Sequence, residues 1–147
     1  MDQPNELAVP TSDETTLALL AHVLQIFTWW IGPLAIYLAK RDSKFVSFHA
    51  MQALLWQFTM MGLGMVMGFV WMILFFLTVL PHMNKTPAGS QQPPAAFFVL
   101  FPLFWLGFLG FYGLNVVFGI LYGVKAGRGE WAAYPVLGRW ALRIVER

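Results

Sequence analysis

The sequence predicts an all-α integral membrane bundle: three transmembrane helices, an interfacial segment after the first loop, and a C-terminal amphipathic helix. Three observations predict it. Apolar residues make up 59% of the 147 positions and charged residues only 11%, whereas an ordinary soluble domain carries about 25% charge. A water-soluble fold of this size could neither hide that much apolar surface nor cover itself with so few charges. Charge is also absent from three long windows, 15–39, 45–84 and 86–124, each longer than the roughly 20 residues of helix that cross a bilayer core. Finally, none of the windows alternates as a barrel strand does, and lipid offers backbone groups no partner, which leaves helix as the spanning form. Disorder is excluded by the same composition. The absence of cysteine excludes disulfide frameworks, thiolate metal sites and cysteine nucleophiles.

Residues 1–14 form an acidic tail carrying Asp2, Glu6, Asp13 and Glu14. Residues 15–127 form the transmembrane domain. Its first crossing runs over 17–39, preceded by Thr11, Ser12 and Asp13 as capping residues and kinked at Gly32-Pro33. Trp29 and Trp30 fall mid-span and are expected to pack against another helix. The second window, drawn as one helix over 45–80, would be about 54 Å long against a hydrocarbon core of about 30 Å. It divides into an interfacial segment, 45–57, holding Ser47, His49, Gln52 and Gln57, and a crossing, 58–80; one protruding helix is the alternative. Residues 81–94 (PHMNKTPAGSQQPP) are rich in proline and polar residues and make a loop. A third segment starts near Ala95, bends at Pro102, and crosses over 103–124. In 128–147, Arg139, Arg143, Glu146 and Arg147 fall on one helical face and Leu137, Trp140, Ala141 and Ile144 on another. This basic amphipathic helix suits an anionic leaflet or packing on the protein's own surface.

The tail before the first crossing has no Lys or Arg. With three crossings, an N-terminus outside and a C-terminus in the cytoplasm put eight of the nine basic residues on the cytoplasmic side, as the positive-inside rule requires. A plasma (inner) membrane location with an uncleaved first crossing follows, because no basic n-region precedes an apolar stretch.

Asn115, Gly119, Gly123 and Gly127 recur every four residues, and Gly64 and Gly68 form a second small pair. Such faces let helices approach closely in lipid, and Asn115 is placed to bond across to a neighbour or to line a polar path. Of the three histidines, His22 is expected to hydrogen-bond inside the bundle. His49, with Gln52, Arg139, Arg143 and Arg147, is expected at the interface. Haem ligation by His22 and His49 is excluded on this reading, because a straight first crossing separates them by well over 10 Å in depth. Ser47 and His49 have no third catalytic partner, and no phosphate loop is present. The methionines of 60–72 read as adaptable packing rather than a copper stripe, and the basic residues are too few for nucleic acid. No catalytic, cofactor or metal residue is assigned.

Several stretches carry a resemblance. Asp13-Glu14-Thr15-Thr16-Leu17-Ala18-Leu19-Leu20-Ala21-His22, Gly32-Pro33-Leu34-Ala35-Ile36-Tyr37-Leu38, Phe45-Val46-Ser47-Phe48-His49-Ala50-Met51-Gln52-Ala53-Leu54, and Lys125-Ala126-Gly127-Arg128-Gly129-Glu130-Trp131 running into Tyr134-Pro135 resemble the DUF4870 family of small membrane proteins, related to the chloroplast import component Tic20. The sequence departs from it at Leu55-Trp56, where relatives often carry Asn-Phe, and the proline-rich loop is longer than usual. The resemblance implies a polytopic helical membrane protein without catalytic residues. The function expected is a small non-enzymatic multi-pass protein, a subunit or scaffold that packs with other membrane proteins or with itself in the lipid bilayer. A pore or translocation component by analogy with Tic20, built by self-association around Asn115 and His22, and a membrane-surface sensor using the basic helix are the alternatives.

Overall fold

The computed structural model describes residues 9–85 and 95–146. Residues 1–8 of the acidic tail, most of the expected loop (86–94) and Arg147 lie outside the described residues. The described residues form five helices: α1 (Ser12–Thr28), α2 (Ile31–Ala39), α3 (Lys44–Lys85), α4 (Ala95–Gly127) and α5 (Leu137–Val145).

Helix α1 opens with a capping box. The Thr11 hydroxyl accepts from Glu14 N–H, and the Glu14 carboxylate accepts from Thr11 N–H at 2.8 Å, satisfying two otherwise orphaned donors. The other Glu14 oxygen accepts from Ser43 Oγ at 2.6 Å, and Ser43 Oγ in turn accepts from Val46 N–H at the start of α3. One carboxylate thereby ties together two helix N-termini.

The expected first crossing is not one helix. The chain breaks at Trp29, whose φ is +58°, and doubles back. Ile36 of α2 shares a buried cluster with Ala21 of α1, with Leu17 and Leu24 packed against it; in a straight helix Ala21 and Ile36 would stand about 22 Å apart. Thr28 Oγ1 staples the turn, donating to Leu24 O at 2.8 Å and accepting from Gly32 N–H at 3.0 Å. Only glycine fits at position 32, because a Cβ there would strike Thr28 Oγ1 and come within 2.6 Å of Leu24 Cβ. Pro33, expected at a mid-helix kink, instead sits in the first turn of α2, where its missing N–H costs no helical bond. Among the described residues two helices, α3 and α4, are long and apolar enough to cross a membrane.

Helix α3 has 42 residues, about 63 Å of continuous helix. Residues 45–57 are therefore the beginning of α3 and not a separate segment. Phe45, Val46, Phe48, Ala50, Met51, Ala53 and Leu54 are all buried, while the exposed large apolar side chains of α3 begin at Phe58 and end at Leu80. That outward-facing run covers about 33 Å, close to a hydrocarbon core. Helix α4 carries Pro102 inside it without ending there.

The chain divides into two compact units, one of Met1–Thr59 with Asn115–Arg147 and one of Met60–Leu114. In the second, Trp71 packs on Phe104 with ring centroids 5.3 Å apart. Gly64 there faces the Phe111 ring, whereas Gly68 faces open space, so the expected small-residue pair is half used. In the first, α1 and α2 flank the start of α3, and residues 128–136 run as an irregular strap to α5. A side chain at Gly129 would run into Pro10, so the start of α1, the 40–43 turn and the strap share one end of this unit. That differs from the expectation that the first stretch separates them across the bilayer. The packing face of α5 also differs from the expected one. Gly138 and Ala141 are buried and Leu142 and Val145 pack on Phe48, Met51 and Leu54, while Trp140 is 57% exposed and Ile144 42%.

Candidate functional site

The first unit encloses a polar cluster. Helix α1 brings His22 and Gln25, three residues apart on one face. Helix α3 brings His49, Gln52, Trp56 and Gln57, again at helical spacing, α4 brings Asn115, and the strap brings Tyr134. His22, Gln25, His49 and Gln52 are fully buried, and Tyr134, Gln57 and Asn115 nearly so. Close approach of α4 to α1 makes the convergence work. A Cβ at Gly119 would lie 2.7 Å from Ile26 Cγ1 and 3.0 Å from His22 O, and one at Gly123 would lie 3.3 Å from His22 Cβ.

The donor directions follow from Gln52. Its Oε1 accepts from Tyr134 N–H at 3.0 Å and its Nε2 donates to Ala132 O at 2.9 Å, which fixes the amide orientation. The second Nε2 hydrogen faces His49 Nδ1 at 3.2 Å, so that nitrogen is an acceptor and His49 Nε2–H donates to Glu130 O at 3.1 Å. His22 Nε2, 3.1 Å from the same His49 Nδ1, must then carry its proton and donate. His22 Nδ1 is left to accept from Tyr134 O–H at 3.0 Å, whose oxygen accepts from Gln25 Nε2 at 3.3 Å. Each imidazole has one donor and one acceptor in use, which is the neutral state. A second branch centres on Asn115 Oδ1, which accepts from Trp56 Nε1 and Gln57 Nε2, both at 3.0 Å. Gln57 Nε2 also donates to Gln25 O at 2.8 Å, covering a carbonyl that the end of α1 leaves orphaned.

Tyr134 is the hub. Its ring meets those of Tyr122 (4.1 Å), His22 (5.5 Å), Trp56 and Phe118 (both 5.6 Å). Burial raises its phenol above the ordinary range. Burial first, then the neighbouring His49, pushes His22 down to about 3. At the edge of the unit, the bonds from Ser43 and then Thr11 hold Glu14 below the usual carboxylate value.

Three expectations are corrected here. His22 and His49 are not separated in depth; they touch, because the turn at Trp29 returns α2 alongside α1 and starts α3 at the level of α1. The separation in depth on which the exclusion of haem ligation rested is therefore not present. His49 and Gln52, expected at the interface, are buried and pin the strap. Of the two tryptophans expected to pack on another helix, Trp30 stacks on Phe58 but Trp29 is 61% exposed. Among the described residues no group of three or more acidic, histidine or cysteine side chains could hold a metal ion, and no buried side-chain N or O atom lacks a hydrogen-bond partner. Arg139 and Arg143 lie exposed on α5, away from the cluster. Sequence reasoning gave no role to Tyr134, Gln25 or Trp56, and it put Gln57 at the interface rather than in the buried cluster. The signal for the glutamines was present, as polar residues at helical spacing inside uncharged windows. Tyr134, on an irregular strap, gave none.

Residues 13–141 match the sequence model of the magnetosome magnetite crystal formation protein family (MamF/MmsF). No curated protein and no solved structure matches the chain. The match overturns the resemblance to DUF4870 and Tic20.

Proposed function

Because the chain belongs to the magnetosome magnetite crystal formation protein family, we propose that it acts in magnetite crystal formation as a non-enzymatic, multi-pass membrane subunit that packs with other membrane proteins. One observation carries the reading: among the described residues the buried polar side chains of the first unit, the head, are all hydrogen-bonded within it, while its outer side is apolar. Leu20, Phe27, Trp29, Ile31 and Leu38 are all exposed. A site that turned over a substrate would need an open donor or acceptor beside a cavity; an assembly subunit needs apolar contact surface held in a fixed shape.

In this reading α3 crosses over 58–80 and α4 returns, and the α1–α2 hairpin enters the membrane without crossing it. Its start and the strap share one side. Placing eight of the nine basic residues with them makes that side cytoplasmic by the positive-inside rule, so both ends of the head face the cytoplasm. The test is genetic and structural. In a magnetite-forming cell, deletion of the gene is expected to change crystal size and shape in electron micrographs. The intact chain restores them, and a Gly119→Val chain, whose head cannot close, does not. Normal crystals in the deletion strain, or iron turnover by the purified protein alone, would sink the proposal.

A further inference from the structure

Helix α5 has three sides, and among the described residues one of them is packed. Gly138 and Ala141 are buried and Leu142 and Val145 half-buried against the head. The outward surface consists of two neighbouring rows, each with a four-residue repeat. Val136, Trp140 and Ile144 form an exposed apolar row, and Arg139 and Arg143 form an exposed basic row. The acidic residue of the helix end, Glu146, is also exposed, one turn beyond Arg143. Ala141 shares a buried cluster with Phe48, Met51 and Leu54, which fixes α5 against the start of α3.

We infer that α5 is a clamp for anionic lipid: its outward surface seats in the headgroup layer, with the Val136–Trp140–Ile144 row in the acyl boundary and Arg139 and Arg143 on phosphate-bearing headgroups. Charge complementarity favours this occupant. An amphipathic helix lying in an interface needs an apolar row beside a basic one, whereas the centre of a protein–protein contact is depleted of charge. The inference is independent of which proteins the head touches and of any part in crystal formation.

The 147-residue chain has no cysteine, so Ile144→Cys gives a single nitroxide site. It is placed in nanodiscs of phosphatidylcholine alone or mixed with phosphatidylglycerol, and its accessibility to oxygen and to a water-soluble nickel chelate is compared. The expected result is a label that is oxygen-accessible and nickel-shielded with phosphatidylglycerol and less so without it. In native mass spectrometry, Arg139→Gln with Arg143→Gln is expected to lower the preference for retained phosphatidylglycerol about 25-fold, at about fivefold per arginine. Equal nickel access in the two bilayers overturns the proposal. So does unchanged lipid preference in the double variant. Shielding that persists without anionic lipid and is unmoved by the double substitution assigns the face to a protein contact and also overturns it.

Discussion

Two glycines of α4 make a matched pair of tests for how the head is closed. At Gly119 an added methyl would lie 2.7 and 2.8 Å from the Ile26 side chain and 3.0 Å from His22 O, whereas at Gly110 it would meet nothing within 4 Å. Both are helical, so Gly→Ala brings the same intrinsic gain of roughly 0.5–1 kcal/mol at each. That term cancels in the comparison. What remains is overpacking at Gly119, typically about 1–3 kcal/mol. Ile26 can swing aside, but His22 O is backbone of α1 and cannot move without carrying the imidazole off its partners. Gly119→Ala is thus expected to be less stable than Gly110→Ala by about 1–3 kcal/mol, read from tryptophan-detected unfolding in one detergent. Adding Ile26→Val, which removes the Cδ1 obstacle, should recover only part of the loss. If the two alanine variants unfold within about 0.5 kcal/mol of each other, the usual scatter for surface changes, α4 does not close on α1 as described.

Further outcomes follow from the same contacts. Tyr134→Phe leaves His22 Nδ1 and Gln25 Nε2 without the hydroxyl they share and should cost about 1–3 kcal/mol; wild-type stability in that variant would dissolve the hub. Stability should fall in acid. His22 is held neutral with its pKa lowered from 6.5 to about 3, so the unfolded chain takes up the proton first. Its contribution is whole above about 6.5 and is lost as pH falls toward 3. Glu14, lowered from 4.5, adds a loss below that value, and Glu14→Gln should flatten this lower limb of the thermal midpoint against pH. Finally, single cysteines at Ser12 and Asp42 should react with an impermeant maleimide from one and the same side of a vesicle; labelling from opposite sides would restore 17–39 as a crossing.

The helical membrane character was legible because it rests on composition, and composition needs no contacts. The capping residues ahead of α1 were legible too, since Thr11 and Glu14 stand in capping-box spacing. The hairpin was not. Nothing in Phe27-Thr28-Trp29-Trp30-Ile31 breaks a helix by propensity; the turn depends on Thr28 reaching both Leu24 O and Gly32 N–H, and on Gly32 admitting Leu24. Gly32-Pro33 signalled the break, but a proline early in a new helix and a proline kinking an old one leave the same trace in sequence. From that one ambiguity the rest followed. With the first stretch drawn straight, His22 and His49 cannot meet and His49 and Gln52 have no buried place to go.

The cluster also answers a problem of membrane folding. Apolar helices gain little from one another in lipid, because lipid tails are as apolar as leucine. Their relative positions must be fixed by close backbone contact and by bonds that have direction. Gly119 and Gly123 supply the first, between α4 and α1. The second is supplied by an amide whose orientation is set at both ends: Gln52 reads Tyr134 N–H and Ala132 O on the strap, and through His49 the same stretch of α3 holds Glu130 O. Three consecutive anchor points over five residues leave the strap no freedom to slide, and α5 begins at its far end. The outward rows of α5 are consequently aimed by a hydrogen-bond network buried in the head, and a change at Gln52, which touches none of the exposed residues, should disturb the lipid-facing helix as surely as removing its arginines.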